Sequence, residues 1–198
     1  MKQLKWDLSR IQSFKNPNIK YEQYVTPHDI AADILNLIHT EYDDIENKTI
    51  LDLGVGTGML TAAASYFNPA YQLALDICPN ALEICKENLT NLELDVDLVR
   101  CNFENFFTKK KFDTTIMNPP FGVHNEKADS IAIECALKNS SIVYFLHTKS
   151  TRNFILKKYK ENIKVIAELK YELPMTYKFH KKKKKIIDMD LYRLKSTK

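Results

Sequence analysis

Five short apolar runs, "TILDLG" (49–54), "YQLALDI" (71–77), "DVDLVR" (95–100), "FDTTIMN" (112–118) and "SIVYFLH" (141–147), recur along this chain with segments of mostly helical length between them. Most are too continuous for strands with one wet face. Strands covered on both faces read in this way, and neighbouring parallel strands need a crossover that the intervening helices can supply. The pattern therefore predicts an α/β fold built on a mostly parallel sheet with helices on both faces. The expected helices run from about Pro27 to Tyr42, from Gly58, from Pro79 to about Leu92, from near Asn125 to Lys138, and from about Thr151 to Glu161.

The two ends of the chain depart from the repeat. At the start, Leu4, Leu8, Ile11 and, less regularly, Phe14 share one helical face, as in a short amphipathic helix packed on the domain edge. Loop follows to Thr26, which with Pro27 and Asp29 resembles a helix N-cap with proline at the first helical position. At the other end, "IKVIAELKYEL" (163–173) and "IIDMDLYRL" (186–194) have only a lysine-rich segment between them. With no room for a crossover, these two strands are expected to pair antiparallel.

At 198 residues, with 44% hydrophobic and 27% charged residues, the chain is expected to form one soluble domain over 1–198, with residues 1–26 as an N-terminal helix and covering loop and 174–185 as a basic hairpin loop. Its net charge of +4 is concentrated: Lys178 to Lys185 holds six lysines and no acid, which localises any contact with a polyanion. Cys78, Cys85, Cys101 and Cys135 have neither close pairing nor zinc-site spacing, so free thiols in a reducing compartment and no metal are expected. No run approaches a membrane span and no secretory signal is seen, which points to the cytoplasm or nucleus.

The chain has four glycines, and three of them, Gly54, Gly56 and Gly58, stand in "LDLGVGTG". Such spending marks a strand-to-helix loop built around a ligand, although the spacing departs from the dinucleotide fingerprint: Thr61 stands where its last glycine would be. Asp76 ends the next strand, about 20 residues on, where a carboxylate can accept both ribose hydroxyls of a nucleoside. Asp52 lies close to the loop and can hold it or face an ammonium group. Asn102, just after the third strand, suits either an adenine amine or a simple turn.

"IMNPPFG" (116–122) then falls at the carboxyl end of the fourth strand, the edge where open α/β sheets bind ligands. Proline fixes its own φ and restricts the residue before it, so Asn118 and Pro119 form a fixed array. The Asn118 side-chain oxygen and the Pro119 carbonyl can both accept from one planar NH₂ group, and Phe121 can stack on the ring that bears it. Positioning an amine against an electrophilic methyl group can supply roughly 7 to 11 kcal/mol of a barrier.

Together these motifs resemble the class I S-adenosylmethionine-dependent methyltransferases, with their Rossmann-like seven-stranded sheet, and specifically the amino-methylating group with an Asn-Pro-Pro-aromatic turn. "EQYVTP", "LDLGVGTG", "LDI", "IMNPPFG", "HTKSTR" and "AELKYELPMTYKFHKKK" are similar, end to end, to the methyltransferase-like protein five family. The resemblance implies N6-methylation of an adenosine in small-subunit ribosomal RNA. It places Gln23, Thr26, Gly54, Thr57, Met59, Asp76, Asn102 and Phe103 around the methyl donor, beside Asp52, Gly56 and Gly58, and Asn118, Pro119, Pro120 and Phe121 on the target base. The family pattern has cysteine at the position of Thr57 and aspartate at that of Asn102.

Lys178, Lys181, Lys182, Lys183 and Lys184 would meet RNA phosphates, unless the run is a solvated loop or an import signal. The resemblance also implies a small zinc-binding activator subunit, for which the strand near Leu94 to Arg100 offers a sheet edge. Rival readings are a release-factor glutamine-N5 methyltransferase, a guanine-N2 or DNA adenine methyltransferase, and an inactive RNA-binding or ribosome-assembly factor.

Overall fold

The structure, a computed structural model, describes residues 1–18, 21–120, 127–174 and 184–197. Seven strands form one sheet: β1 (Thr49–Leu53), β2 (Tyr71–Asp76), β3 (Asp97–Arg100), β4 (Phe112–Met117), β5 (Ser140–Thr148), β6 (Ile163–Pro174) and β7 (Lys184–Lys195). Their spatial order is β3-β2-β1-β4-β5-β7-β6. The pairings among β1 to β5 are parallel, and the hairpin of β6 and β7 joins antiparallel through β7 beside β5. The expected mostly parallel sheet with an antiparallel C-terminal hairpin is what forms.

The apolar runs are continuous because both faces are covered. On one face Ile50, Ile116, Tyr144 and Leu146 meet residues of α1 (Lys2–Leu8), α2 (His28–Tyr42), α3 (Met59–Ser65) and α4 (Pro79–Asn91), among them Leu8, Leu35, Ala63 and Leu89. On the other, Leu51, Leu53, Met117, Val143 and Phe145 meet Ala132, Ile133 and Ala136 of α5 (Ala128–Asn139) and Ile155 of α6 (Arg152–Tyr159). Successive strand residues thus enter opposite cores, as the two-residue period of a strand requires. Among the described residues, no helix is long and apolar enough to cross a membrane.

Two local expectations are corrected. The helix expected from Pro27 starts at His28 with Pro27 as its N-cap and no side-chain cap, because the Thr26 hydroxyl is turned away toward Asn118, 92 residues later. The last crossover helix is shorter than expected: 3₁₀ turns flank α6, and Lys160 at φ 48° ends it.

The hairpin outgrows its neighbour. β5 ends where Thr148 pairs with Met189 and Met189 with Leu169, yet β6 and β7 stay paired as far as Pro174 with Lys184. That overhang of five residues carries the hairpin roughly 17 Å past the carboxyl end of β5, on the side where the parallel strands terminate. Phe121 and Lys178, Lys181, Lys182 and Lys183 lie outside the described residues; Lys184 starts β7.

Candidate active site

The chain runs outward from β1 through β2 to β3, then returns to place β4 on the other side of β1. A ligand crevice opens at such a switch point, outside the carboxyl ends of the two central strands. The glycine loop leaves β1 and Asn118 leaves β4 at this point.

The loop is packed from both sides. A Cβ on Gly54 would sit 3.4 Å from the Phe103 ring, and one on Gly56 3.4 Å from the Phe14 ring. Gly58 has φ +89° and faces Cys85, whose Sγ would lie 2.9 Å from an added Cβ. The first helical turn of α3 starts from this left-handed glycine, so the loop needs a residue without a side chain there.

Asp76 pins the loop from β2. Its Oδ2 accepts from the Gly56 N–H and its Oδ1 from the Cys78 N–H, both at 2.9 Å. A carboxylate has about four lone-pair sites, so these bonds leave room for a ligand. Burial pushes its pKa up, against the lowering effect of those backbone donors.

Asp52 is 3% exposed and accepts at 2.6 Å from the hydroxyl of Thr61, the residue that breaks the dinucleotide spacing. Burial, with a further push from the charge on Asp76, raises its pKa to about 7. Between about pH 4 and 7 the folded chain therefore holds a proton there that the unfolded chain has released, so stability falls as pH rises through that window. Asp52→Asn is expected to flatten this fall in urea titrations, leaving the smaller slope of Asp76; an unchanged slope would place the proton elsewhere.

The N-terminal arm is tied to the same loop through Asn88 of α4. Its Nδ2 donates to the Thr57 carbonyl at 2.9 Å and the Gln12 carbonyl at 3.1 Å, and its Oδ1 accepts from the Gln12 N–H at 2.8 Å. Gln23 serves the arm itself, accepting from the Asn18 N–H at 2.9 Å. Asn102 makes a local turn: its side chain accepts from the Glu104 N–H and donates to the Glu104 carboxylate.

Thr26, Asp52, Gly54, Gly56, Thr57, Met59 and Asn118 line one small cavity of about 40 Å³, together with Tyr24, Val25, Val55 and Leu60. Gly58, Asp76 and Phe103 support its rim from behind or beside the loop. Pro119 is buried and Pro120 half-buried at the end of β4.

Asn118 is held by its amide nitrogen. Nδ2 donates to Thr26 Oγ1 at 3.1 Å and to Tyr171 Oη at 3.3 Å, while Oδ1 is buried without a hydrogen-bond partner among the described residues. Leaving such an acceptor unpaired costs roughly 1 to 3 kcal/mol, a cost that an incoming N–H donor removes. The arrangement can receive one amine hydrogen at a fixed point beside the glycine loop. Tyr171 has no distinguishing sequence signal beyond its place in the "AELKYELPMTYKFHKKK" stretch, since a tyrosine in a strand is ordinary.

Residues 27–143 match the model of the methyltransferase small domain family. The rRNA N(6)-adenosine-methyltransferase METTL5 of Danio rerio is 42% identical over 100% of this chain and 99% of its own length. Its Drosophila melanogaster counterpart is 37% identical over 98% of this chain and 95% of its own. A crystal structure from Pyrococcus horikoshii, assigned by its title to the RNA methyltransferases, superposes with a TM-score of 0.86 at 33% identity, covering 98% of this chain and 97% of that one. The glycine loop, the Asn-Pro-Pro turn and the full-length match agree: the chain belongs to the methyltransferase small domain family and, within it, to the METTL5 group.

Proposed function

We propose that this protein transfers a methyl group from S-adenosylmethionine to N6 of an adenosine in small-subunit ribosomal RNA. The observation that carries the reading is Asn118 Oδ1, buried and without a partner among the described residues, on a side chain that lines the cleft at the glycine loop. The donor set fits the cofactor: two acidic side chains, Asp52 and Asp76, flank a loop whose glycines leave no side chain in the way. S-adenosylmethionine, when bound, supplies an electrophilic methyl group on a cationic sulfur.

Asp76 would take the ribose hydroxyls with its free lone pairs, and the positive methionine end would draw Asp52, whose pKa burial raises to about 7, into its carboxylate form. Asn118 Oδ1 accepts one N6 hydrogen and the Pro119 carbonyl the other, which holds the amine with its lone pair aimed across the cleft. Phe121 stacks on the adenine. An amine held in this way would need no strong base from the chain, since once methylated it can lose its proton to water. Adenosine reaches such a cleft only when flipped out of its stack, which suits a substrate chosen by RNA shape.

Two further elements complete the proposal. Lys178, Lys181, Lys182, Lys183 and Lys184 neutralise phosphates of the RNA beside the crevice, a contact supported by the hairpin overhang on that side. β3, four residues long and paired among the described residues with β2 alone, is a sheet edge with Val99 38% exposed; a small zinc-binding activator subunit adds a strand to it. The test is nucleoside mass spectrometry of small-subunit RNA after incubation with labelled donor, with and without the co-expressed activator. N6-methyladenosine is expected. Unlabelled RNA beside a release factor that gains methylglutamine would move the acceptor from nucleic acid to protein.

A further inference from the structure

A carboxamide can turn either end toward a ligand, so the acceptor that Asn118 presents depends on what surrounds its nitrogen. Neither hydroxyl near it decides the matter alone, because Thr26 and Tyr171 can each donate or accept. The Val25 carbonyl decides, since a carbonyl only accepts: it takes the Tyr171 hydroxyl proton at 3.2 Å. Tyr171 Oη then has only lone pairs to offer, and it accepts from Asn118 Nδ2 at 3.3 Å. The second amide hydrogen goes to Thr26, whose Oγ1 accepts from Nδ2 at 3.1 Å. The protons run in one order, from the Asn118 amide to Tyr171 and from Tyr171 to the Val25 carbonyl.

Tyr171 is fully buried, and burial raises its hydroxyl pKa to about 12, so it keeps this proton throughout the neutral range. Its reach comes from the hairpin overhang. β6 is the sheet strand furthest from β3, with β7 and β5 between it and β4, but Tyr171 pairs with Ile187 two residues beyond the last pair that β5 shares. A tyrosine placed earlier in β6 would be screened from Asn118 by β5 and β7.

We propose that Tyr171 is a positioning residue for methyl transfer: by giving its proton to Val25 it fixes the Asn118 amide with Oδ1 toward the target amine. This rests on the reading that Asn118 receives that amine. Turned the other way, the amide would present N–H to an amine that must itself donate, and the amine would lose its anchor. The role is confined to the amide, because Tyr171 does not line the cavity at the glycine loop.

The experiment is a double-mutant cycle in the full chain with its activator, reading kcat, donor Kd and melting temperature. Tyr171→Phe is expected to lower kcat on the order of tenfold to a hundredfold, the size of one buried hydrogen bond to a catalytic group, with donor Kd unchanged. Combined with Asn118→Asp, Tyr171→Phe is expected to cost little more, since a carboxylate presents an oxygen whichever way it turns. Equal losses in the two backgrounds, or no loss in the first, would overturn the proposal. Should Tyr171→Phe fold poorly, Thr26→Val in the same cycle removes the other acceptor and is expected to show the same dependence on Asn118. Wild-type protein that methylates no adenine amine would sink the underlying reading instead, whereas active wild type with a silent Tyr171→Phe sinks this inference alone.

Discussion

Asn118→Ala is expected to lower kcat by about 10²- to 10³-fold while leaving donor affinity and melting temperature near the wild-type values. The size follows from the geometry. Oδ1, the one acceptor of the Asn118 side chain, has no partner among the described residues, and both amide hydrogens are already engaged by Thr26 and Tyr171. Alanine removes that acceptor and the amine loses half of its orientation, while Asp52, Asp76 and the glycine loop stay in place. Single-turnover rates beside calorimetric donor binding separate the two effects. A variant that loses donor binding as well would mean that Asn118 builds the donor cleft, and the division of labour between β1 and β4 would have to be redrawn.

Gly58→Ala is expected to be the most damaging small substitution in the glycine loop, at roughly 2 to 5 kcal/mol of stability. Two causes act together. At φ +89° an L side chain costs about 1 to 2 kcal/mol, and the new Cβ would stand 2.9 Å from Sγ of the buried Cys85, worth about 1 to 3 kcal/mol more. Cys85→Ala removes the clash but not the strain. Chemical denaturation of the double variant should therefore recover only the second part, giving a non-additive cycle. Full recovery would show that the left-handed conformation costs nothing here, and no recovery that Cys85 is not the obstacle.

The sheet was legible because burial on two faces leaves its mark on every strand: Leu51 enters one core and Ile50 the other, so no polar alternation survives. The glycine loop and the Asn-Pro-Pro turn were legible for a related reason, since residues that fix or free the backbone announce themselves by type. What stayed hidden depends on which side chain meets which across the fold. Thr26 looks like a helix cap by its neighbours, yet its hydroxyl serves a residue 92 positions away. Thr61 looks like a defect in a phosphate-binding pattern, and it is the donor that satisfies a buried Asp52. Tyr171 meets Asn118 across 53 positions, and only because the hairpin outruns β5. The short-range bonds from Asn102 to Glu104 were equally hidden, since no periodicity marks them.

The measurement that tests the account most directly is a structure of the protein bound to an adenosine-containing RNA and the demethylated donor. The account predicts the target N6 within hydrogen-bond distance, about 2.7 to 3.2 Å, of Asn118 Oδ1, with Nδ2 still on Thr26 and Tyr171. An adenine seated elsewhere, or an Asn118 amide turned with Nδ2 toward the base, would contradict it.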